Sequence, residues 1–130
     1  MGLIVQINED CSFSPAKEFI RDLNVAFADG DIDFIKEHVS DEIVWEVVGS
    51  WKAEGKEAFV QKLKDVKDSR VQKLYLDCII SYDDRASSNG IIYMENGRQY
   101  SFADVFRFRD TVSNELSSIT SYMIETSPEV

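Results

Sequence analysis

The hydrophobic pattern of this chain changes its period near residue 70, and this change restricts the folds that the chain can adopt. Up to residue 66, apart from one short β-branched stretch, apolar residues recur every three or four positions, as on one face of a helix. From residue 71 they mostly alternate with polar residues, as in strands with one buried face. The sequence therefore predicts an α+β fold in which helices come first and cover one face of a run of long antiparallel strands.

The first two helices have recognisable start and stop signals. Ser14 is a suitable N-cap, Pro15 suits the first helical position, and Gly30 can end a helix in the left-handed conformation. These signals predict a helix over residues 14–29. Asp31 then caps a short second helix.

A strand, a loop and a third helix follow. Asp41 begins a turn, and residues 43–48 are β-branched and read as a strand. Residues 49–55 form a loop that holds Trp51. Residues 57–66 repeat apolar side chains at helical spacing, which predicts a third amphipathic helix.

The second half of the chain is read as strands joined by turns. The predicted strands cover residues 71–80, 90–95, 99–108 and 116–125. Turns are expected at 83–89 and 109–114, and Asn96-Gly97 is the strongest hairpin signal. In the first of these strands, alternation places four apolar side chains on one face, namely Leu74, Leu76, Cys78 and Ile80.

The length and order of these elements predict one domain with a pocket. We assign residues 14–126 to a single domain, residues 1–13 to an N-terminal extension and residues 127–130 to a tail. A long sheet covered on one side curls, which leaves a space between sheet and helices that suits a ligand.

Charge and composition exclude several classes of function. The formal net charge is −10, from 24 acidic and 14 basic residues, so nucleic acids and membrane surfaces are not expected partners. The N-terminal apolar stretch is too short for a signal peptide, so we expect a cytoplasmic protein. His38 is the only histidine, and Cys11 and Cys78 have no metal or redox spacing, so we predict neither a metal nor a cofactor.

The ordered set of short motifs resembles one superfamily. The motifs are Ala-Asp-Gly-Asp at 28–31, Ser-Asp-Glu-Ile-Val-Trp-Glu at 40–46, Gly49, Gly-Lys-Glu-Ala at 55–58 and Asp-Val-Phe-Arg-Phe at 104–108. Together they resemble the nuclear transport factor 2-like superfamily, with the SnoaL-like and ketosteroid-isomerase-like branches closest. The resemblance implies a cone-shaped curved antiparallel sheet wrapped around the N-terminal helices, an internal cavity, and a homodimer formed through the outer sheet face.

The resemblance also implies two functional carboxyl groups. In the isomerase branch, a carboxylate on the strand after the second helix removes a proton next to a carbonyl, and that position corresponds to Glu46. A second carboxyl, which stays protonated and donates a hydrogen bond to the enolate oxygen, corresponds to Asp104. The isomerases also use a tyrosine on the first helix, but here that place falls at or beside Leu23, and the helix has no tyrosine.

Strand alternation is compatible with both carboxyl groups pointing inward, but it leaves alternatives open. Glu46 shares a face with Val44 and Val48, and that face is inward only if Trp45 points outward. Asp104 shares a face with the phenylalanines of its own strand, unless a bulge interrupts the alternation. A carboxyl in such surroundings loses hydration, which raises its pKa and suits it to acid–base work.

The same alignment predicts the walls of the pocket. The expected lining residues are Leu23, Phe27, Val48, Trp51, Phe59, Phe102, Phe106, Ile119, Ser121 and Met123. Trp51 is expected either to close the mouth of the cavity or to fill the core. One of the five strand tyrosines could also replace the missing helix tyrosine.

These observations support two main functions. The first is the binding of a small apolar molecule in the internal pocket, without demonstrated catalysis. The alternative is a cofactor-independent isomerase, cyclase or dehydratase acting on a carbonyl-bearing substrate, with Glu46 as general base and Asp104 as acid or hydrogen-bond donor. An epoxide hydrolase is a third option, which would require Arg107 or Arg109 beside Asp104.

Overall fold

The computed structural model describes residues 3–8, 14–67 and 70–126, except for the side chain of Lys67. The predicted tail at 127–130 therefore lies outside the described residues. The helices are α1 (Pro15–Asp29), α2 (Ile32–Glu37) and α3 (Lys56–Lys67). The strands are β1 (Ile4–Ile7), β2 (Val39–Val47), β3 (Trp51–Glu54), β4 (Val71–Tyr82), β5 (Arg85–Met94), β6 (Gln99–Phe108) and β7 (Leu116–Thr126).

The capping residues predicted from the sequence do cap the first two helices. The Ser14 hydroxyl accepts a hydrogen bond from the backbone N–H of Lys17 at 3.2 Å, which caps α1. Gly30 ends α1 with φ 76°, in the left-handed region that glycine adopts without steric cost. The Asp31 carboxylate accepts from the N–H of Phe34 at 3.2 Å and caps α2.

The seven strands form one curved, unclosed sheet, so the predicted α+β architecture is confirmed. Its strand order is β1-β4-β5-β6-β7-β2-β3. Most neighbours are antiparallel, but β1 with β4 and β2 with β7 are parallel pairs. We call the face that packs against the helices the inner face, because α1 contacts β4 and α3 contacts β2 there.

Two edge strands were not predicted from the sequence. β1 lies within the expected N-terminal extension at residues 1–13, and it lengthens the sheet at one edge. β3 lies in the predicted loop at 49–55, and it pairs with β2 after a tight turn. In the same region, Asp41 lies inside β2 and does not begin a turn.

β5 begins five residues earlier than predicted. Residues 87–90 read Ser-Ser-Asn-Gly, which is typical of turns, yet all four pair with strands on both sides. The actual turn lies at 83–84, where Asp83 has φ 53°. Gly90 is required by a close approach of strands, because a Cβ there would lie 1.8 Å from the carbonyl oxygen of Tyr75.

A bulge in β4 changes which side chains face the helices. The register shifts between Leu76 and Cys78, so Leu76 and Ile79 are both buried. The prediction that Cys78 and Ile80 share the face of Leu76 is wrong for this reason, and Ile80 is 60 % exposed.

The core lies between the helices and the inner face of the sheet. Its fully buried side chains come from both halves of the chain and include Ile20, Leu23, Ile35, Ile43, Phe59, Leu76, Phe106 and Leu116. His38 contributes to packing at one side of this core, with its Nδ1 atom 2.7 Å from the carbonyl oxygen of Phe34. None of the described helices is long and apolar enough to cross a membrane.

Candidate functional site

The inner face of β6 carries one carboxyl group among phenylalanine rings. Alternation along β6 is unbroken from Phe102 to Phe106, and both rings are buried against the core. Asp104 lies between them on the same face, as the alternation predicts. Part of the residue remains accessible, whereas the rings on either side are closed off.

Two buried serines flank Asp104 across the sheet. Asp104 pairs with Ser88 on β5 and with Ser121 on β7, so the three side chains form a row on the inner face. Both serines are at least 95 % buried. The Ser121 hydroxyl donates a hydrogen bond to the Asp104 carboxylate.

Burial raises the pKa of Asp104 from 3.8 to about 6, and the hydrogen bond from Ser121 opposes part of that rise. No cation among the described residues forms an ion pair with this carboxylate. Asp104 is thus a partly desolvated acid that changes its charge close to neutral pH.

Trp45 connects the row to an aromatic cluster. Its indole N–H donates to the Ser121 oxygen at 3.1 Å. The Trp45 ring meets three others at centroid distances of 5.3 Å (Phe27), 4.8 Å (Trp51) and 5.4 Å (Phe59). Ser121 therefore accepts from Trp45 and lies beside Asp104, so it links the aromatic cluster to the carboxyl group.

The other end of the row is tied to α1 through Asn24. The Asn24 amide N–H donates to the backbone oxygen of Ile20 at 2.9 Å and to the Ser88 oxygen at 3.0 Å. Sequence reasoning missed Asn24 and Ser88. The available signal was the polar Asn24 directly after Leu23 on the apolar face of α1, the place where the resemblance implied a tyrosine.

The prediction that Glu46 points into the cone is wrong. Trp45 is buried on the inner face, so Glu46 lies on the outer face, where it pairs with Thr120 of β7 and Lys52 of β3. The reason is packing, because Ile43 and Trp45 fill the inner side of β2. Glu46 and Asp104 therefore do not share an interior.

The predicted lining residues occupy four kinds of position. Five are buried in the core, namely Leu23, Phe59, Phe102, Phe106 and Ile119. Phe27, Trp51 and Ser121 belong to the group around Trp45. Met123 is on the inner face, paired with Phe102, but is 42 % exposed. The placement of Val48 is wrong, because it follows the end of β2 and is 44 % exposed.

Other candidate groups lie away from Asp104. Four of the five tyrosines are on the outer face, and the inner one, Tyr100, is at the far end of β6 and pairs with Glu125. Arg107 is exposed on the outer face, and Arg109 forms ion pairs with Asp110 and Glu115. The arginine that an epoxide hydrolase would need is not beside the carboxylate. Within the described part of the chain, no group of three or more His, Cys, Asp or Glu side chains could hold a metal ion.

Solved structures with the same architecture are numerous. One is a nuclear transport factor 2-like protein of unknown function from Cytophaga hutchinsonii, with 20 % identity and a TM-score of 0.65 over 82 % of this chain and 97 % of that one. A candidate SnoaL-like polyketide cyclase from Shewanella denitrificans has 11 % identity and a TM-score of 0.71 over 85 % and 92 %. A candidate ketosteroid isomerase from Kribbella flavida has 10 % identity and a TM-score of 0.70 over 87 % and 80 %.

These similarities define the class of fold. No family model and no curated protein sequence matches this chain. The structural similarity is nevertheless extensive, and it shows that the chain has the nuclear transport factor 2-like fold, as the sequence motifs indicate. The fold alone does not define a function, since one fold can carry unrelated activities.

Proposed function

We propose that this protein binds a small, largely apolar molecule on the inner face of the sheet, with Asp104 contacting the polar group of the ligand. The observation that carries the proposal is the position of Asp104. It is the acidic residue in a row of otherwise uncharged inner-face side chains, and it remains partly accessible.

The hydrogen bonding of Asp104 supports a ligand contact. An ionised carboxylate can accept about four hydrogen bonds, and a partly buried one is costly to leave unsatisfied. Ser121 supplies one of these bonds. The neighbouring Ser88 is directed toward Asn24 on α1. A ligand donor would occupy the remaining acceptor positions.

The surroundings of Asp104 support an apolar ligand body. Trp45 and its ring neighbours Phe27 and Trp51 lie on the Ser121 side of the row. Met123 presents a flexible, exposed thioether on the same face. Two solved structures with this fold have names that refer to polyketides and ketosteroids. A mostly apolar molecule with a few polar groups would suit such walls.

Methyl- and indole-resolved NMR with 2-naphthylmethanol as a neutral probe tests this proposal. We expect the signals of Trp45 Nε1–H, the Ile119 methyl groups and the Met123 methyl group to shift with a single saturable dissociation constant. The outer-face methyl groups of Ile80 and Ile124 serve as internal controls and should not move. Shifts confined to the outer face, or no saturable shift, would contradict binding at this site.

A second candidate function is acid–base catalysis by Asp104 alone. The pKa of about 6 favours it, because an acid that titrates near neutrality can both give and take a proton. Glu46 cannot serve as the base from the outer face. Deuterium exchange at the methyl group of 2-acetylnaphthalene in D₂O measures this chemistry. A rate increase that requires Asp104 would favour an isomerase, cyclase or dehydratase, and an unchanged rate would favour a binding protein.

We also propose that the protein is a cytoplasmic homodimer that associates through the outer face of its sheet. This face carries several exposed apolar side chains, namely Ile80, Val105, Tyr122 and Ile124. They come from β4, β6 and β7, with β5 lying between β4 and β6 in the sheet, so a second copy would cover apolar side chains that are otherwise exposed to water. The free thiol of Cys78 on the same face is compatible with a reducing compartment.

A further inference from the structure

We infer that the polar group of the ligand is a protonated amine, held by the Asp104 carboxylate beside the aromatic rings around Trp45. This inference rests on the proposed function and specifies the chemistry of its ligand. It differs from the carbonyl-bearing ligand that the isomerase resemblance implies, because it assigns Asp104 the role of an anion and not of a neutral hydrogen-bond donor.

The charge around Asp104 is uncompensated by its neighbours. The paired positions on β5 and β7 are the serines Ser88 and Ser121, and α1 presents Asn24 toward Ser88. The inner side of β2 presents Trp45 and Val47, so none of these facing positions carries a titratable group.

Three ionisable groups lie on neighbouring elements. One of them already contacts an aromatic ring, and the other two lie in a different row of the sheet. Lys62 of α3 lies over the Trp51 ring, 4.6 Å from its centroid. Tyr100 and Glu125 pair with each other two rows away from Asp104 on the inner face. A cationic ligand would therefore supply the missing counter-charge without displacing an existing ion pair.

The hydroxyl groups beside Asp104 already have hydrogen-bond partners, so a further donor to the carboxylate would have to come from a ligand. Ser121 accepts from the Trp45 indole, and its own hydroxyl favours the ionised form of Asp104. The Ser88 hydroxyl lies 3.3 Å from the Asn24 oxygen and can donate to it. Ser121 is thus the one side-chain donor to this carboxylate among the described residues, which leaves acceptor capacity, and an ammonium group brings up to three donors together with a positive charge.

The aromatic rings add a second attraction for a cation. The faces of tryptophan and phenylalanine rings carry negative electrostatic potential, so a cation near them is stabilised. Lys62 over Trp51 shows that one ring of this cluster already attracts an ammonium group. The net charge of −10 also raises the local concentration of cations.

Amine and carbonyl ligands predict opposite responses to pH. An amine needs ionised Asp104, so its affinity should fall as the pH drops through about 6. A carbonyl ligand needs protonated Asp104, so its affinity should rise over the same interval. Simple amines stay protonated throughout this range, so the titration of the ligand does not confuse the result.

Calorimetric titration with 2-naphthylmethylamine and its neutral isostere 2-naphthylmethanol tests the inference. At pH 7.5 we expect the amine to bind roughly tenfold or more tightly than the alcohol, the usual gain for a charge-assisted hydrogen bond. At pH 5 about nine-tenths of Asp104 is protonated, so most of this preference should disappear. A preference that persists at pH 5 would overturn the inference.

Two variants separate the role of Asp104 from the overall negative charge. Asp104→Asn keeps the shape and an acceptor for Ser121, and it should weaken amine binding about tenfold and alcohol binding by clearly less, so that the preference for the amine disappears. Glu46→Gln removes the same charge from the outer face and should change neither affinity. Equal binding of both probes, or an amine affinity that survives Asp104→Asn, would overturn this inference alone. Failure of both probes to bind would overturn the proposed function as well.

Discussion

Asp104 differs from the surface carboxylates because its ionisation is opposed by the fold. An ordinary aspartate titrates near 3.8, whereas burial moves the pKa of this one to about 6. The folded state therefore holds the proton more tightly than the unfolded chain does. The free energy of unfolding contains an Asp104 contribution that falls as the pH rises from about 4 to about 6 and stays low above that range.

Asp104→Asn is therefore expected to stabilise the unliganded protein at neutral pH. The difference between the two pKa values sets an upper limit of about 3 kcal/mol, and residual solvent exposure makes about 1–2 kcal/mol the expected gain. Urea unfolding at pH 7.5 measures it, and the gain should largely vanish near pH 4.

Glu46→Gln is the matched control for that measurement. Its side chain lies on the outer face opposite Thr120, so stability should change by less than about 0.5 kcal/mol. A variant Asp104→Asn that is less stable than the parent protein at pH 7.5 would show that the carboxylate is satisfied in the folded state.

The sequence predicted individual residues best where one local rule decides their position. Unbroken alternation along β6 was enough to place Asp104 beside Phe102 and Phe106. Alternation also put Trp45 and Glu46 on opposite faces of β2, but it could not say which face is inner. Trp45 is inside because its ring fills the space between the sheet and α3, against Phe59. Asn24 and Ser88 meet only in the folded chain, 64 residues apart, and no local pattern reports such a contact.

Among the secondary-structure elements, the helices were predicted more accurately than the strands. Caps at Ser14, Gly30 and Asp31 are short-range signals, and they mark both ends of α1 and the start of α2 correctly. Strand ends depend on pairing with distant residues, which explains why the strand predicted for β5 begins several residues too late in the sequence. The β4 bulge likewise changes which side chains of β4 face the helices, and no residue of the strand signals the bulge in the sequence.

Gly90→Ala is expected to destabilise the β4–β5 pair strongly. A methyl group at this position would overlap the backbone carbonyl of Tyr75, which cannot rotate away as a side chain would. We expect a loss of about 1–3 kcal/mol or more in the free energy of unfolding, measured by urea denaturation. Ser87→Ala on the same strand is the control and should have little effect. A neutral result for Gly90→Ala would mean that β4 and β5 are farther apart here than the structure shows.

For the whole molecule, the curved sheet has two apolar faces with different roles. The helices cover the inner face, whereas the outer face keeps Ile80, Val105, Tyr122 and Ile124 in water. Copies of a protein with a net charge of −10 repel one another, which opposes non-specific association. A partner that covers this face must therefore be complementary to it in shape. A second copy offers the same apolar surface around a two-fold axis.

Val105→Lys is expected to convert a homodimer to a monomer. Val105 lies on the outer face of β6, near the middle of the sheet, and a buried ammonium in a two-fold interface would face the same apolar surface of the partner. Sedimentation velocity at micromolar concentration measures the change. Val112→Lys adds the same charge at a loop position that is 90 % exposed, and it should leave the dimer intact. A parent protein that sediments as a monomer would contradict the proposed dimer.

The most direct test of the account is the titration of the Asp104 carboxyl group by carboxylate-resolved NMR, assigned by its loss in Asp104→Asn. The account predicts a midpoint near pH 6 in the unliganded protein. Replacing Ser121 with alanine should raise that midpoint further, because it removes the hydrogen bond that stabilises the ionised form. A midpoint near 4 would contradict the account, because it would mean that the folded state does not oppose the ionisation of this carboxyl group.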